Sequence, residues 1–265
     1  MLLPLAGRRL YYDLAGPEDG PVVCFTHSLS SDSGMWAEQL PALLAAGFRV
    51  LRVDMRGHGG SDPVAGDYTM DALAGDVAAV LEALDIRQVH YVGLSIGGMI
   101  GQAFAINHGV KLTSLMLCDT LPATQPDAKA AWAPRIAAAT AANSLAPLAD
   151  GTMERWFTDA FKSRNPGRWT QIRDTIVGTT ARGFLGCAAA ILNFDFVVRL
   201  PTLKVSTLVV CGADDQGTPP AENRRIAALI PGARYAEIPQ ARHLPNVEHP
   251  AVFNRILMGW LGAHR

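Results

Sequence analysis

Five residues, Gly93-Leu94-Ser95-Ile96-Gly97, set one hydroxyl between two glycines where a strand-like run, QVHYVGLS, passes into a helix-like run, IGGMIGQAFA. A sharp strand-to-helix turn strains the backbone at the serine. Residues without side chains at Gly93 and Gly97 relieve the contacts beside it and leave Oγ exposed above the sheet edge. The hydroxyl also sits near a helix N-terminus, where partial positive charge favours a developing anion. This is the setting of an activated nucleophile. A serine hydroxyl is a poor one until a base removes its proton, so the pattern calls for a histidine held in the right tautomer by a carboxylate.

Where serine sits on such a turn, the partners follow in the order Ser, Asp, His. Downstream, VVCGADDQGTPP puts two acids at a strand end, and IPQARHLPNVEHP puts His243 just after the next strand-like run. Asp215 ranks first for the acid role by its spacing from Gly212 and from Thr218-Pro219. Asp119, at the end of LMLCDT, ranks second, and Asp214 third, as a solvated or turn-forming neighbour. Among the other histidines, His27 and His58 belong to other loops and His90 lies inside a strand. His108 closes a helix, His249 precedes a proline and His264 is near the end of the chain. These read as structural or surface groups.

Acyl transfer also needs donors aimed at the developing oxyanion. The backbone N–H of Ile96, next after the serine, is one; the loop HSLSSDSGMW supplies the second, assigned to Leu29. DMRGHGGSD lacks both the GK[ST] ending and the GxGxxG spacing of nucleotide loops, and reads as a turn-rich loop beside the site's mouth. No His or carboxylate cluster has metal-ligand spacing, so neither metal nor cofactor is expected.

These residues need a rigid scaffold, and the hydrophobic pattern supplies one. Six strands are read from PVVCFTHS, FRVLRVDMRG, QVHYVGLS, LTSLMLCDT, STLVVCGADD and ARYAEIPQ, several of them apolar without alternation, as for strands covered on both faces. Helix-period segments lie between. One starts at Thr69, an N-cap, with Leu73, Val77, Val80, Leu81 and Leu84 on one face; the last carries Val252, Phe253, Ile256, Leu257 and Trp260. The strand–helix rhythm is that of an α/β fold with a parallel sheet. It breaks over 121–200, which is rich in Ala, Arg and Trp, has no convincing strand, and carries nine Lys/Arg against six Asp/Glu. We expect residues 1–120 and 201–265 to form the α/β core and 121–200 a helical cap insertion.

With 265 residues, 49% of them hydrophobic, and a net charge of −1, the chain can bury one large core and has no basic run for nucleic acid or a membrane surface. No apolar stretch is long enough for a membrane span, and MLLPLAGRRLYY does not fit a secretory signal, so a cytoplasmic location is expected. Cys24, Cys118, Cys187 and Cys211 form no CxxC pair and read as buried free thiols.

Taken together, HSLSSDSGMW, FRVLRVDMRGHGGSD, YTMDALAGDVAAVLEALDI, YVGLSIGGMIGQ, GADDQGTPP and ARHLPNVEHP resemble the α/β-hydrolase superfamily. More narrowly, they look like the 3-oxoadipate enol-lactonases of aromatic catabolism and related carboxylesterases; AWAPRIAAAT and ERWFTDAF in the insertion carry the same likeness. The resemblance implies an eight-stranded, mostly parallel sheet with a helical cap, a nucleophile at Ser95, an acid at Asp215 and a base at His243. It also implies substrate contacts at Trp132, Arg135 and Trp156; a substrate carboxylate would need a cation, for which Arg135 in the basic insertion is the candidate. Two positions depart from the family: Ile96 replaces a usual methionine, and Ser30 stands where the lactonases commonly have glycine. The expected activity is hydrolysis of a small-molecule ester or lactone, foremost 3-oxoadipate enol-lactone, through an acyl-enzyme. The alternatives are a general carboxylesterase on acyclic esters and a non-catalytic ligand receptor on the same fold. Homo-oligomerisation is left open by the sequence.

Overall fold

The computed structural model describes residues 1–264. Eight strands form one sheet: β1 (Leu2–Leu5), β2 (Arg8–Ala15), β3 (Val22–Thr26), β4 (Arg49–Val53), β5 (Val89–Leu94), β6 (Leu112–Cys118), β7 (Thr207–Gly212) and β8 (Arg234–Ile238), in the spatial order β1-β2-β4-β3-β5-β6-β7-β8. From β4 to β8 every neighbouring pair is parallel; β1–β2 and β2–β4 are antiparallel. The expected α/β fold with an eight-stranded, mostly parallel sheet is what forms. All six strands read from apolar runs are present.

The β1–β2 hairpin is outside that reading. β1 alternates exposed with half-buried residues, and β2 carries Arg8 and Arg9 at its start, so neither presents an apolar run. β1 is the edge of the sheet and β2 the strand beside it, and strands near an edge, covered on fewer sides, need less hydrophobic surface. By contrast, β5 and β7 are buried at every position.

Among the described residues eleven helices are present: α1 (Leu40–Ala45), α2 (Met70–Ala83), α3 (Ile96–His108), α4 (Ala128–Ala142), α5 (Ala149–Trp156), α6 (Asp159–Arg164), α7 (Pro166–Gly178), α8 (Ala181–Ile191), α9 (Pro220–Leu229), α10 (Pro245–Glu248) and α11 (Pro250–Gly262). Thr69 caps α2 through a side-chain bond to the Ala72 N–H, and the helix buries Leu73, Val77, Val80 and Leu81, with Leu84 partly buried against the core. α11 buries Phe253, Leu257 and Trp260, with Val252 and Ile256 packed alongside. Between β6 and β7 the regular elements are α4 to α8 with short 3-10 turns, and one isolated bridge joins Ala123 to Asp195. α8 is fastened to the loop after β4, where the Thr180 N–H and Oγ both donate to the Gly57 carbonyl.

All four cysteines are free and buried, as expected, and burial pushes their thiols up. No helix among the described residues is long and apolar enough to cross a membrane.

Candidate active site

Ser95 stands between β5 and α3 with φ +60° and ψ −120°, a left-handed conformation costly for a residue with a side chain. The surroundings over-determine it. Its N–H donates to the Cys118 carbonyl at 2.9 Å, and its carbonyl accepts from the Thr120 hydroxyl at 2.7 Å and the Gly98 N–H at 2.9 Å. The two flanking glycines are required by space. A Cβ on Gly93 would lie 2.2 Å from the Gly97 carbonyl oxygen, and one on Gly97 would lie 2.4 Å from that of Thr26.

Asp215 and His243 come from the loops after β7 and β8. His243 Nδ1 is 2.8 Å from Asp215 Oδ2. That same oxygen accepts from the Thr218 hydroxyl at 2.5 Å, while Oδ1 accepts from the Gly217 and Thr218 N–H groups at 2.8 and 3.2 Å. Burial alone would push the Asp215 carboxyl up. The charge and hydrogen bond of His243, with those of Thr218, outweigh it and hold the group below the usual carboxylate range. The fixed Nδ1 contact turns Nε2 outward, and neither Nε2 nor Ser95 Oγ is sealed in or paired. The two atoms do not hydrogen-bond each other, but both residues line the same cavity.

Both groups open onto a cavity of about 210 Å³ whose lining also includes Leu29, Trp132, Arg135, Trp156 and Asp215. Of the expected triad, oxyanion and substrate-contact residues, all reach it except Ile96, whose side chain is fully buried and whose N–H opens α3. Of the two other acids, Asp214 is exposed and Asp119 is fully buried behind Asp215. The N–H groups of Leu29 and Ile96 donate to no protein acceptor among the described residues.

His27 accounts for the pose of Leu29. Its Nε2 accepts from the Met55 N–H at 2.9 Å, so Nδ1 carries the proton and donates to the Ser28 carbonyl at 2.8 Å. That carbonyl also accepts from the Ser31 N–H at 3.1 Å. In a trans peptide the Leu29 N–H must then point the opposite way. DMRGHGGSD braces this loop from behind: Asp54 accepts from the N–H groups of Ser33 and Gly60, and His58 packs 5.4 Å from the His27 ring. None of its residues lines the cavity, so it is a buttress, not the rim of the mouth. Ser30 has φ +64°, which accounts for a glycine being usual there.

Sequence reasoning missed four supporting residues: His27 in this bracing role, Thr218, Glu248 and Arg155. Glu248 accepts from the Arg242 N–H beside His243 and from the N–H and hydroxyl of Thr158, tying the His243 loop to the start of α6. Arg155 lines the cavity next to Trp156, and only its neighbourhood in ERWFTDAF pointed that way.

The helical side of the cavity is cationic. The Arg135 guanidinium lies 4.2 Å from the Trp132 ring centre and 5.8 Å from that of Phe184, with Nε buried and unpartnered. Neither Arg135 nor Arg155 forms an ion pair among the described residues. Burial, then repulsion from Arg155, lowers Arg135 to about 10, so it remains charged at neutral pH. Among the described residues, the one His, Cys, Asp or Glu group compact enough to share a metal ion is Asp119, Asp215 and His243. The oxygens of Asp215 are already engaged by four donors, His243 Nδ1 among them.

Residues 21–250 match the family described as alpha/beta hydrolase fold. The chain is 31% identical over 261 residues to 3-oxoadipate enol-lactonase 1 of Acinetobacter baylyi, covering 98% of this chain and 96% of that one. It superposes with a TM-score of 0.94 on the enol-lactonase of Burkholderia xenovorans LB400, at 34% identity, covering 99% of this chain and 100% of the other. A non-heme chloroperoxidase of Streptomyces lividans is 30% identical over 271 residues, 96% of each chain.

Proposed function

The chain belongs to the alpha/beta hydrolase fold family, and from that premise we propose that it is a serine hydrolase that opens a small carboxylic ester or lactone, foremost an enol-lactone, through an acyl-enzyme. The observation that carries this is convergence: Ser95, His243 and Leu29 line one small cavity, while the Leu29 and Ile96 N–H groups have no protein acceptor. His243 Nε2 takes the Ser95 proton as Oγ bonds to the substrate carbonyl carbon, and the oxyanion accepts from Leu29 and Ile96. Collapse of this adduct expels the alkoxide or enol oxygen, which takes the proton from His243. A water then gives its proton to His243, attacks the acyl carbon, and releases a carboxylic acid and the Ser95 hydroxyl. Asp215 holds the imidazole tautomer throughout. In an enol-lactone the leaving enol stays tethered and becomes a ketone, which draws ring opening forward.

α4 to α8 act as a cap, of which α4, α5 and α8 wall this cavity. Trp132 and Trp156 supply flat apolar surface, and the unpaired Arg135, with Arg155 nearby, supports recognition of a carboxylate on the substrate. A cavity of about 210 Å³ suits a ligand smaller than the drug-sized molecules that fill roughly 300–1,000 Å³ pockets. The likeness to enol-lactonases supports the ring substrate.

The test is a panel of lactones and acyclic esters, each with and without a carboxylate. Highest kcat/KM on a carboxylate-bearing enol-lactone supports the reading. Preference for neutral p-nitrophenyl esters makes the protein a general carboxylesterase, and no turnover on any member overturns the enzymatic reading.

A further inference from the structure

The mechanism above leaves the most deeply buried acid, Asp119, unused. Asp119 follows β6 with φ +44°, and none of its surface is exposed. Its N–H donates to the Val210 carbonyl at 2.9 Å, and its Oδ1 accepts from the Gly212 N–H at 2.8 Å. Its Oδ2 is buried with no donor. Each of Asp119, Asp215 and His243 offers an oxygen or nitrogen within 4.8 Å of the other two.

An ionised carboxylate could not rest in that position. Asp215 can carry its charge because it accepts three hydrogen bonds from Gly217 and Thr218 and faces the His243 ring. Asp119 has one N–H donor. The remaining titratable groups around it are the Cys118 thiol on its own strand, the Cys211 thiol on β7, Asp215 and His243. Two neighbouring carboxyl groups in so dry a place do not both ionise; the one with fewer donors keeps its proton. Burial, then the Asp215 charge, push Asp119 well above the usual carboxylate range.

We infer that Asp119 is a neutral carboxylic acid whose Oδ2 proton is donated to Asp215, making it a positioning residue for the acid arm of the site. The inference rests on the reading of Asp215 and His243 as acid and base. It also gives Asp119 a role distinct from the one its rank among the candidate acids implies: it donates to the carboxylate and does not replace it.

The experiment compares Asp119→Asn and Asp119→Ala in the full-length protein by the acid limb of the kcat/KM–pH profile. Asparagine keeps a neutral acceptor for Gly212 and an N–H donor for Asp215, so activity and limb should match wild type. Alanine removes the donor, and Asp215 then holds a protonated His243 more tightly. Turnover should fall about tenfold, the worth of one hydrogen bond to a charged group, and the limb should move up by as much as about one pH unit. An ionised Asp119 gives the opposite sign: either substitution deletes a negative charge and moves the limb down. A downward shift in both variants, or no shift in alanine, overturns the inference. Should the alanine variant not fold, infrared spectroscopy decides. The carbonyl stretch of a buried protonated acid at neutral pH should be present in wild type and absent from Asp119→Asn; its absence from wild type overturns the inference. Asp215→Asn separates the two levels. If it is inactive, these results judge Asp119 alone; if it stays active while Asp119→Asn is dead, Asp119 is the acid and the underlying reading fails as well.

Discussion

The two sides of the cavity are built by different rules. On the sheet side, backbone and side chain lock each other: Ser95 is pinned through its own N–H and carbonyl, and four hydrogen bonds hold Asp215. On the helical side, α4 buries only Ala139, Arg135 leaves a buried Nε unpartnered, and two guanidinium groups repel each other without a carboxylate between them. A satisfied network rigidifies, whereas an uncompensated buried charge is a cost that a bound anion relieves. The sheet side is thus held by its own hydrogen bonds, whereas the helical side presents cations with no acidic partner among the described residues.

Substitutions should respect this division. On the sheet side, Asp215→Asn leaves the shape intact but removes the charge that fixes the imidazole tautomer. We expect kcat to fall about 10⁴-fold with little change in KM, read by steady-state kinetics. On the helical side, Arg135→Ala should act on binding, raising KM for carboxylate-bearing substrates by about 10- to 100-fold and leaving neutral esters nearly unaffected. The same site offers a stability readout of opposite sign. Arg135→Met removes a half-buried charge that has no acidic partner and keeps an apolar contact for Trp132, so Tm should rise slightly as carboxylate selectivity is lost. An Arg135 variant that instead loses kcat equally on both substrate types would erase the contrast.

A smaller effect comes from histidines behind the sheet side. Burial, with His27 nearby, lowers His58 to about 3, and burial, with His264 nearby, lowers His90 to about 4. Both are neutral in the folded protein, while the unfolded chain takes up protons near pH 6.5. The unfolded state therefore binds more protons below that pH. Stability is full above it and falls by up to about 1.4 kcal/mol per histidine for each further pH unit until the folded values are reached. Thermal unfolding from pH 7 to 5 should show this decline, and His90→Gln should flatten it. An unchanged slope in that variant would assign the acid sensitivity elsewhere.

The same division governs what the sequence made legible. The strand–turn–helix at Ser95 and the loops bearing Asp215 and His243 were readable because they rest on backbone constraints, and those leave glycines and fixed spacings. β5 and β7 were readable because strands covered on both faces are apolar throughout. The β1–β2 hairpin was not, since β1 alternates exposed with half-buried residues and β2 opens on Arg8 and Arg9, leaving no apolar run. His27 and Thr218 were missed because their roles depend on which carbonyl or carboxylate lies within 3 Å, something spacing does not encode. The walls of the insertion were visible only through resemblance: Trp132 and Arg135 stack on each other, but any amphipathic helix carries such residues.

The central claim is that Ser95 is the one group that attacks. Active-site titration with a fluorophosphonate, read by intact mass and peptide mapping, tests it directly. One adduct per chain on Ser95, absent in Ser95→Ala together with ester and lactone turnover, is the predicted result. No adduct on an active enzyme, an adduct on another residue, or undiminished turnover in Ser95→Ala would contradict the account.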